Sequence, residues 1–303
     1  MNLRFWSEVL WVAVYELGEA VRTRLFQLVL LAYGGGIGGS VWVLSQILLQ
    51  MEAGLARAMK LPPTEKPGAM LNTLLADGSI TDLLTPMVGG EQSAKALLTQ
   101  PIPALWAGGA AMLLLPIVLL FTSSGSVSAE LKSRSIRYLA CRTGRLQIAL
   151  GKLVGQVFLG GVAAGIGVLV AFTLSMTLIV GNDPLPLLLA LTVRSVWAVV
   201  YALPYVGIGL AVSQLVANPN GARALGALVF VLLPVLSWLL KEYADTGFVS
   251  RLADLGTLFL PNANWGGTWS SDPAVSGAAA GRALVMAVAF FTVGYARFER
   301  RDL

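Results

Sequence analysis

Residues 153–180 read LVGQVFLGGVAAGIGVLVAFTLSMTLIV, without one Asp, Glu, Lys or Arg, and the turn Gly181-Asn182-Asp183-Pro184 follows. A helix rises about 1.5 Å per residue, and about 20 apolar residues cross the hydrocarbon core of a bilayer. The stretch is therefore long enough to span. Working outward, similar runs lie at about 25–49, 103–127, 195–216, 222–240 and 274–296. Of 303 residues, 56% are hydrophobic and only 12% charged, about half the charged share usual in soluble domains. The mean hydropathy is +0.75. A soluble fold of this size has too little interior to hide so much apolar surface. The fold class is therefore an all-α polytopic membrane protein with six transmembrane helices.

Residues 1–24 add an amphipathic helix. Phe5, Trp6, Val9, Leu10, Ala13, Leu17, Ala20 and Val21 recur at helical spacing, while Glu8, Glu16, Glu19, Arg22 and Arg24 fall mostly elsewhere on the wheel. Such a helix lies in the membrane interface, with Trp6, Trp11 and Tyr15 at headgroup level. Its three glutamates and the long apolar run behind it are not those of a cleavable signal. In the first span, Gly34, Gly35, Gly36, Gly38 and Gly39 indicate close helix packing, with a broken helix beside a pathway as the alternative. Leu185–Val193 reads as an interfacial extension of the fourth span, and Arg282 interrupts the sixth near its outer end.

Charge sets the orientation. With the N-terminus inside, inner segments carry Arg4, Arg22, Arg24, Lys132, Arg134, Arg137, Arg142, Arg145, Lys152, Arg223, Arg297, Arg300 and Arg301. Those thirteen basic residues face six acids, whereas the outer segments hold eight basic residues and ten acids. Basic residues mark the cytoplasmic side, so both termini are expected in the cytoplasm and the protein in the inner membrane. Six of the eight tryptophans then fall near outer span ends or in an outer loop, as aromatic belts require. The overall charge of +5 belongs to this pattern, so no nucleic-acid partner is expected. Two outer segments, 52–100 and 241–273, are long enough to serve as lids or contact sites.

The chemistry excluded is broad. There is one cysteine, Cys141, and no histidine, so intrachain disulfides, Cys/His metal clusters and His-dependent triads are ruled out. No acids pair at a spacing that suggests a proton relay. No Gly-rich loop ends in Lys-Ser or Lys-Thr, so the chain does not bind ATP in the P-loop manner. No cofactor, metal ligand or substrate residue is expected from the residues themselves.

The most informative stretch is the inner loop, placed at 128–152. It runs Glu130-Leu131-Lys132-Ser133-Arg134-Ser135-Ile136-Arg137-Tyr138-Leu139-Ala140-Cys141-Arg142-Thr143-Gly144-Arg145, and continues Ile148-Ala149-Leu150-Gly151-Lys152. On its own it signals the positive-inside rule. An acid after span two, a short Arg-flanked helix and an apolar-Gly-Lys lead into span three resemble the type 2 ABC transporter permeases of exporter type (ABC-2 type). The ending Ala296-Arg297-Phe298-Glu299-Arg300-Arg301-Asp302-Leu303 is similar to that family's usual close. The likeness covers nearly the whole chain. Arg134-Ser135-Ile136 stands where the family usually has Gly-Thr-Leu, and Thr143 replaces a common proline.

The resemblance implies a transport subunit and not an enzyme. Two cytoplasmic ABC ATPase subunits would bind ATP and Mg, and a second permease copy or a paralogue would complete the path. Glu130, Arg134, Ile136, Arg137, Tyr138, Arg142 and Arg145 would form the coupling helix and its latches. Apolar, Gly-rich spans suit a lipid-like or amphipathic substrate. Rival readings are a mechanotransmitting permease acting on an extracytoplasmic protein, a permease delivering metal or sulfur for enzyme maturation, an intramembrane enzyme, and a membrane anchor.

Overall fold

A computed structural model describes residues 3–60, 66–68, 99–242, 260–270 and 272–301. Most of the outer segments expected at 52–100 and 241–273 lies outside the described residues, as do Asp302 and Leu303 of the closing motif. The described residues form helices without strands: α1 (Leu3–Arg22), α2 (Arg24–Met59), α3 (Ile102–Ser133), α4 (Ile136–Ala140), α5 (Arg145–Leu178), α6 (Pro184–Leu215), α7 (Pro219–Glu242), a 3-10 turn (Pro261–Asn264), α8 (Trp265–Trp269) and α9 (Pro273–Glu299). Six of them, α2, α3, α5, α6, α7 and α9, are long and apolar enough to cross a membrane.

Several helices run beyond the apolar stretches that announce them. Charge ends a hydrophobic run but not a helix, because Lys, Glu, Arg and Gln are good helix formers once the chain leaves hydrocarbon. So α2 continues to Met59, and Lys60 closes it in the left-handed region at φ 56°. α3 carries Ser128, Glu130 and Lys132 to its end at Ser133, so the expected inner loop starts later than 128. Leu185–Val193 is continuous with the fourth span, forming the first turns of α6, started by Pro184 at N1. α9 likewise passes through Arg282 unbroken, since an arginine costs a helix nothing in propensity.

α3 and α6 form the centre. Within their most apolar windows 67% of α3 and 72% of α6 is buried inside the chain, against 11% of α7. The contact is close because α6 carries glycine on opposite faces. A Cβ on Gly207 would stand 2.5 Å from the carbonyl oxygen of Ala287 in α9, and one on Gly209 would strike Ser123 of α3. We expect Gly209→Val to lower the thermal transition of the detergent-solubilised protein, by ~1–3 kcal/mol of overpacking. An unshifted transition would show that α3 and α6 separate easily.

Polar atoms in the centre bond locally or across this seam. Ser123 and Ser124 donate to carbonyls of α3's preceding turn. Ser213 Oγ of α6 accepts from the backbone N–H groups of both Val127 and Ser128, each at 2.9 Å. α2 is not broken at its glycines: Gly34 and Gly38 face α5 and Gly36 faces α3, while Gly35 and Gly39 meet nothing. Packing is thus the use of Gly34, Gly36 and Gly38.

At one end of the bundle lie α1, α4 and the C-terminus of α9. At the other, Val180 donates its N–H to Pro67 O at 2.8 Å, and Gly68 donates to the buried Glu52 at 2.8 Å. Gly68 sits at φ +113° against the Val180 backbone, where a Cβ has neither room nor an allowed conformation.

Candidate functional site

The α1 end is built around the link from α3 to α5. α3 stops at Arg134, whose φ of 59° is unusual for a residue with a Cβ. A five-residue helix, α4, follows from Ile136. Thr143 then folds back to Leu139 O through both its N–H (2.9 Å) and its hydroxyl (3.0 Å), which closes the turn before α5 begins at Arg145. Ile136, 2% exposed, anchors α4. Arg134, Arg137, Tyr138 and Arg142 point outward, and Tyr138 is 81% exposed. Of the seven residues expected to couple, four therefore share the surface of this end, and Ile136 holds them there.

Glu130 is elsewhere. It lies in the last turns of α3, buried, and joins a charged cluster drawn from three helices. Lys152 Nζ of α5 donates to Glu16 Oε2 of α1 at 2.6 Å, to Glu130 Oε1 at 2.8 Å and to the Ser126 carbonyl at 3.3 Å. All three ammonium hydrogens have acceptors, and Lys152 is 1% exposed. Gln156 supports Glu16 through Nε2 at 3.2 Å, and Thr122 donates to Gln156 at 2.9 Å.

This corrects the reading of α1. Glu16 does not sit on the polar face. It is 8% exposed, on one stripe with Val9, Val12 and Ala13, and that stripe packs against α5. The backbones come close because α5 has glycine at 151 and 155: a Cβ on Gly151 would lie 2.5 Å from Val12, and one on Gly155 3.0 Å from Glu16. Glu16 is buried because Lys152 is there to receive it. The signal was present, as Val9, Ala13 and Glu16 are spaced by four and three, but a carboxylate on that stripe reads as polar until its partner is known. Trp11 and Tyr15 face away, 76% and 52% exposed. Glu19, one turn from Tyr15, pushes that hydroxyl's pKa up, with burial adding less.

Arg145, the last of the seven, faces the end of α9. Its Nη1 donates to the backbone carbonyls of Phe298 (3.5 Å), Glu299 and Arg301 (3.0 Å), so it caps the end of α9. Arg301 in turn donates to Gln214 O of α6 at 3.3 Å. A cation at a helix C-terminus meets the negative end of the dipole and unpaired carbonyls. Arg145→Met should free this tail, at a cost of ~1.5–3 kcal/mol for hydrogen bonds from a charged group. Limited trypsin digestion should then cut faster at Arg297, Arg300 and Arg301. Unchanged cutting would mean the cap holds nothing.

At the opposite end Arg194 is buried at 5% exposure. It donates through Nε and Nη2 to Gln100 Oε1, both at 3.0 Å, and its guanidinium stacks on Trp269 at 4.9 Å. Tyr205 donates to Asn262 at 2.8 Å, and Tyr201 meets Trp265 edge-on at 5.5 Å. Turn 261–264 and α8 are thereby seated on α6. Among the described residues no group of three His, Cys, Asp or Glu side chains could hold a metal ion.

No curated protein matches the chain. The family described as ABC-2 family transporter protein matches it over residues 10–303, which spans every helix from α1 to α9 and includes Glu16, Glu130, Lys152 and the α4 segment. With six apolar helices of membrane-crossing length, the chain belongs to the ABC-2 transporter family as a multi-pass membrane permease.

Proposed function

We propose that the chain is the permease subunit of an ATP-driven exporter and that α4 is its coupling helix. The observation that supports this best is the α4 surface: a short helix pinned by Ile136, with Arg134, Arg137, Tyr138 and Arg142 presented together at one end of the bundle. Two ABC ATPase subunits, which carry ATP and Mg, dock there from the cytoplasm. The excess of basic residues at the α1 end supports a cytoplasmic position for that end and both termini, in the inner membrane. α7, with little of its surface covered, exposes Leu228, Val231, Leu232, Val235 and Trp238. A second permease copy, identical or a paralogue, packs there. The substrate is lipid-like or amphipathic, in keeping with spans poor in polar groups.

In this reading ATP closes the ATPase pair and pushes α4. Two rigid links carry the push. Glu130 and Glu16 pass it through Lys152 to α1, and Arg145 passes it to the end of α9. The spans shift between two packings, and nucleotide biases which is populated. Purification of the tagged protein in mild detergent, with mass spectrometry of what accompanies it, tests the reading. An accompanying P-loop ATPase in comparable amount is the expected result. A stable preparation with no ATPase overturns it.

A further inference from the structure

Beside the Lys152 cluster a cleft of about 380 Å³ opens among α1, α2, α3, α5 and α7. That volume falls within the range of small-ligand sites. Its charged wall holds Glu16, Glu19, Glu130 and Arg223. Its apolar wall holds Leu25, Phe26 and Leu159, where the one-residue joint at Thr23 turns α1 into the first span. A polar floor and a greasy side next to a span describe a site for one end of an amphiphile.

Two atoms in this wall lack partners. Glu130, 9% exposed, gives Oε1 to Lys152, but its Oε2 is buried with no hydrogen bond. Arg223 Nε is also buried without a partner, and its Nη1 reaches only Asn220, at 3.5 Å. The guanidinium lies over Phe121 and beside Gly125, where a Cβ would stand 2.7 Å from Nη2. Gly125 and Glu130 are five residues apart on α3, about 7.5 Å along its axis. A carboxyl oxygen and a donor-only cation thus line one cleft, each without a partner. An unsatisfied buried carboxylate oxygen or guanidinium N–H is costly, and one ligand carrying both an N–H cation and a phosphate satisfies the two together.

We propose that this cleft binds the headgroup of a zwitterionic lipid with a primary ammonium and a phosphate, the ammonium toward Glu130 and the phosphate toward Arg223. This deepens the reading of an amphipathic substrate and rests on it only for the sense of transport. Lipid is favoured over a soluble zwitterion because the cleft's apolar wall adjoins the start of α2.

Native mass spectrometry of the purified chain, offered equal amounts of phosphatidylethanolamine, phosphatidylcholine and phosphatidylglycerol, tests it without ATP or an ATPase. Phosphatidylethanolamine should be retained about tenfold better than either competitor, the equivalent of one charge-assisted hydrogen bond. Phosphatidylcholine has no ammonium N–H to give, and phosphatidylglycerol has no cation. Glu130→Gln, which removes the carboxylate assigned to the ammonium, should remove most of this preference. Arg223→Gln should lower retention of all three lipids, which share the phosphate, and Ala129→Trp, at an exposed cleft position outside the cluster, should block retention. Equal retention of the three lipids by the parent, a preference that survives Glu130→Gln, or retention that survives Ala129→Trp overturns the site. Displacement of the lipid by free phosphoethanolamine at equal concentration overturns the choice of a lipid ligand. Because binding is read on the permease alone, failure here leaves the ATPase co-purification standing, and the reverse also holds.

Discussion

Lys152→Met should undock α1. The methionine keeps most of the stem but removes the ammonium that Glu16 and Glu130 share at 2.6 and 2.8 Å. Both carboxylates are buried, so neither is easily rehydrated. Breaking a buried ion pair from one side typically costs about 3–5 kcal/mol, because the remaining charge has no compensation. The expected result is a markedly lower thermal transition in detergent, with faster tryptic cutting at Arg22 and Arg24, which flank the joint between α1 and α2. The triple variant Lys152→Met, Glu16→Gln, Glu130→Gln should recover most of the loss, since replacing a whole buried ionic cluster by neutral groups is often close to neutral. A single variant that melts like the parent would show that Val9, Val12 and Ala13 alone hold α1 on α5.

Reversing charge at Arg134 and Arg137 together should abolish ATP-driven transport. Both side chains are exposed, and surface changes away from buried partners usually move stability by no more than about 0.5 kcal/mol. The folded permease should therefore persist with an unchanged thermal transition. Like charges facing each other across an interface cost several kcal/mol, so the proposed ATPase should bind at least about a hundredfold more weakly. Arg134→Gly separates the two jobs of that residue. It relieves the left-handed backbone at φ 59° while removing the charge, so it should firm the end of α3 yet still weaken ATPase binding. Undiminished transport and ATPase recovery in the double reversal would remove α4 from the coupling role.

The spans were legible because little besides a membrane crossing calls for uncharged apolar runs of this length. Where the helices end was not, because an apolar run stops at the first charge, whereas α2 and α3 go on as helix through Glu52 and Glu130. The stretch proposed to couple announced itself by its arginines, and it contains a short helix at Ile136–Ala140. The roles within it were less visible. Glu130 and Arg145 stand in the same basic stretch, yet one faces Lys152 beside Glu16 and the other the end of α9. Glu16 and Lys152 are 136 residues apart, and Arg145 is 153 to 156 residues from the carbonyls it caps. Periodicity reports only neighbours within a few turns. Burial of Glu16 escapes a sequence reading for the same reason, since only the helix opposite accounts for it.

The separation of Glu16 from Lys152 also has a consequence for how the protein is made. A ribosome adds about 5–20 residues per second, so the 136 residues between them take roughly 7–27 s to appear. Through that interval Glu16 has no Lys152 to pair with, and Gly151 and Gly155, against which α1 will lie, do not yet exist. Its seat forms only once α5 is made, so α1 is synthesised well before the helix it packs against.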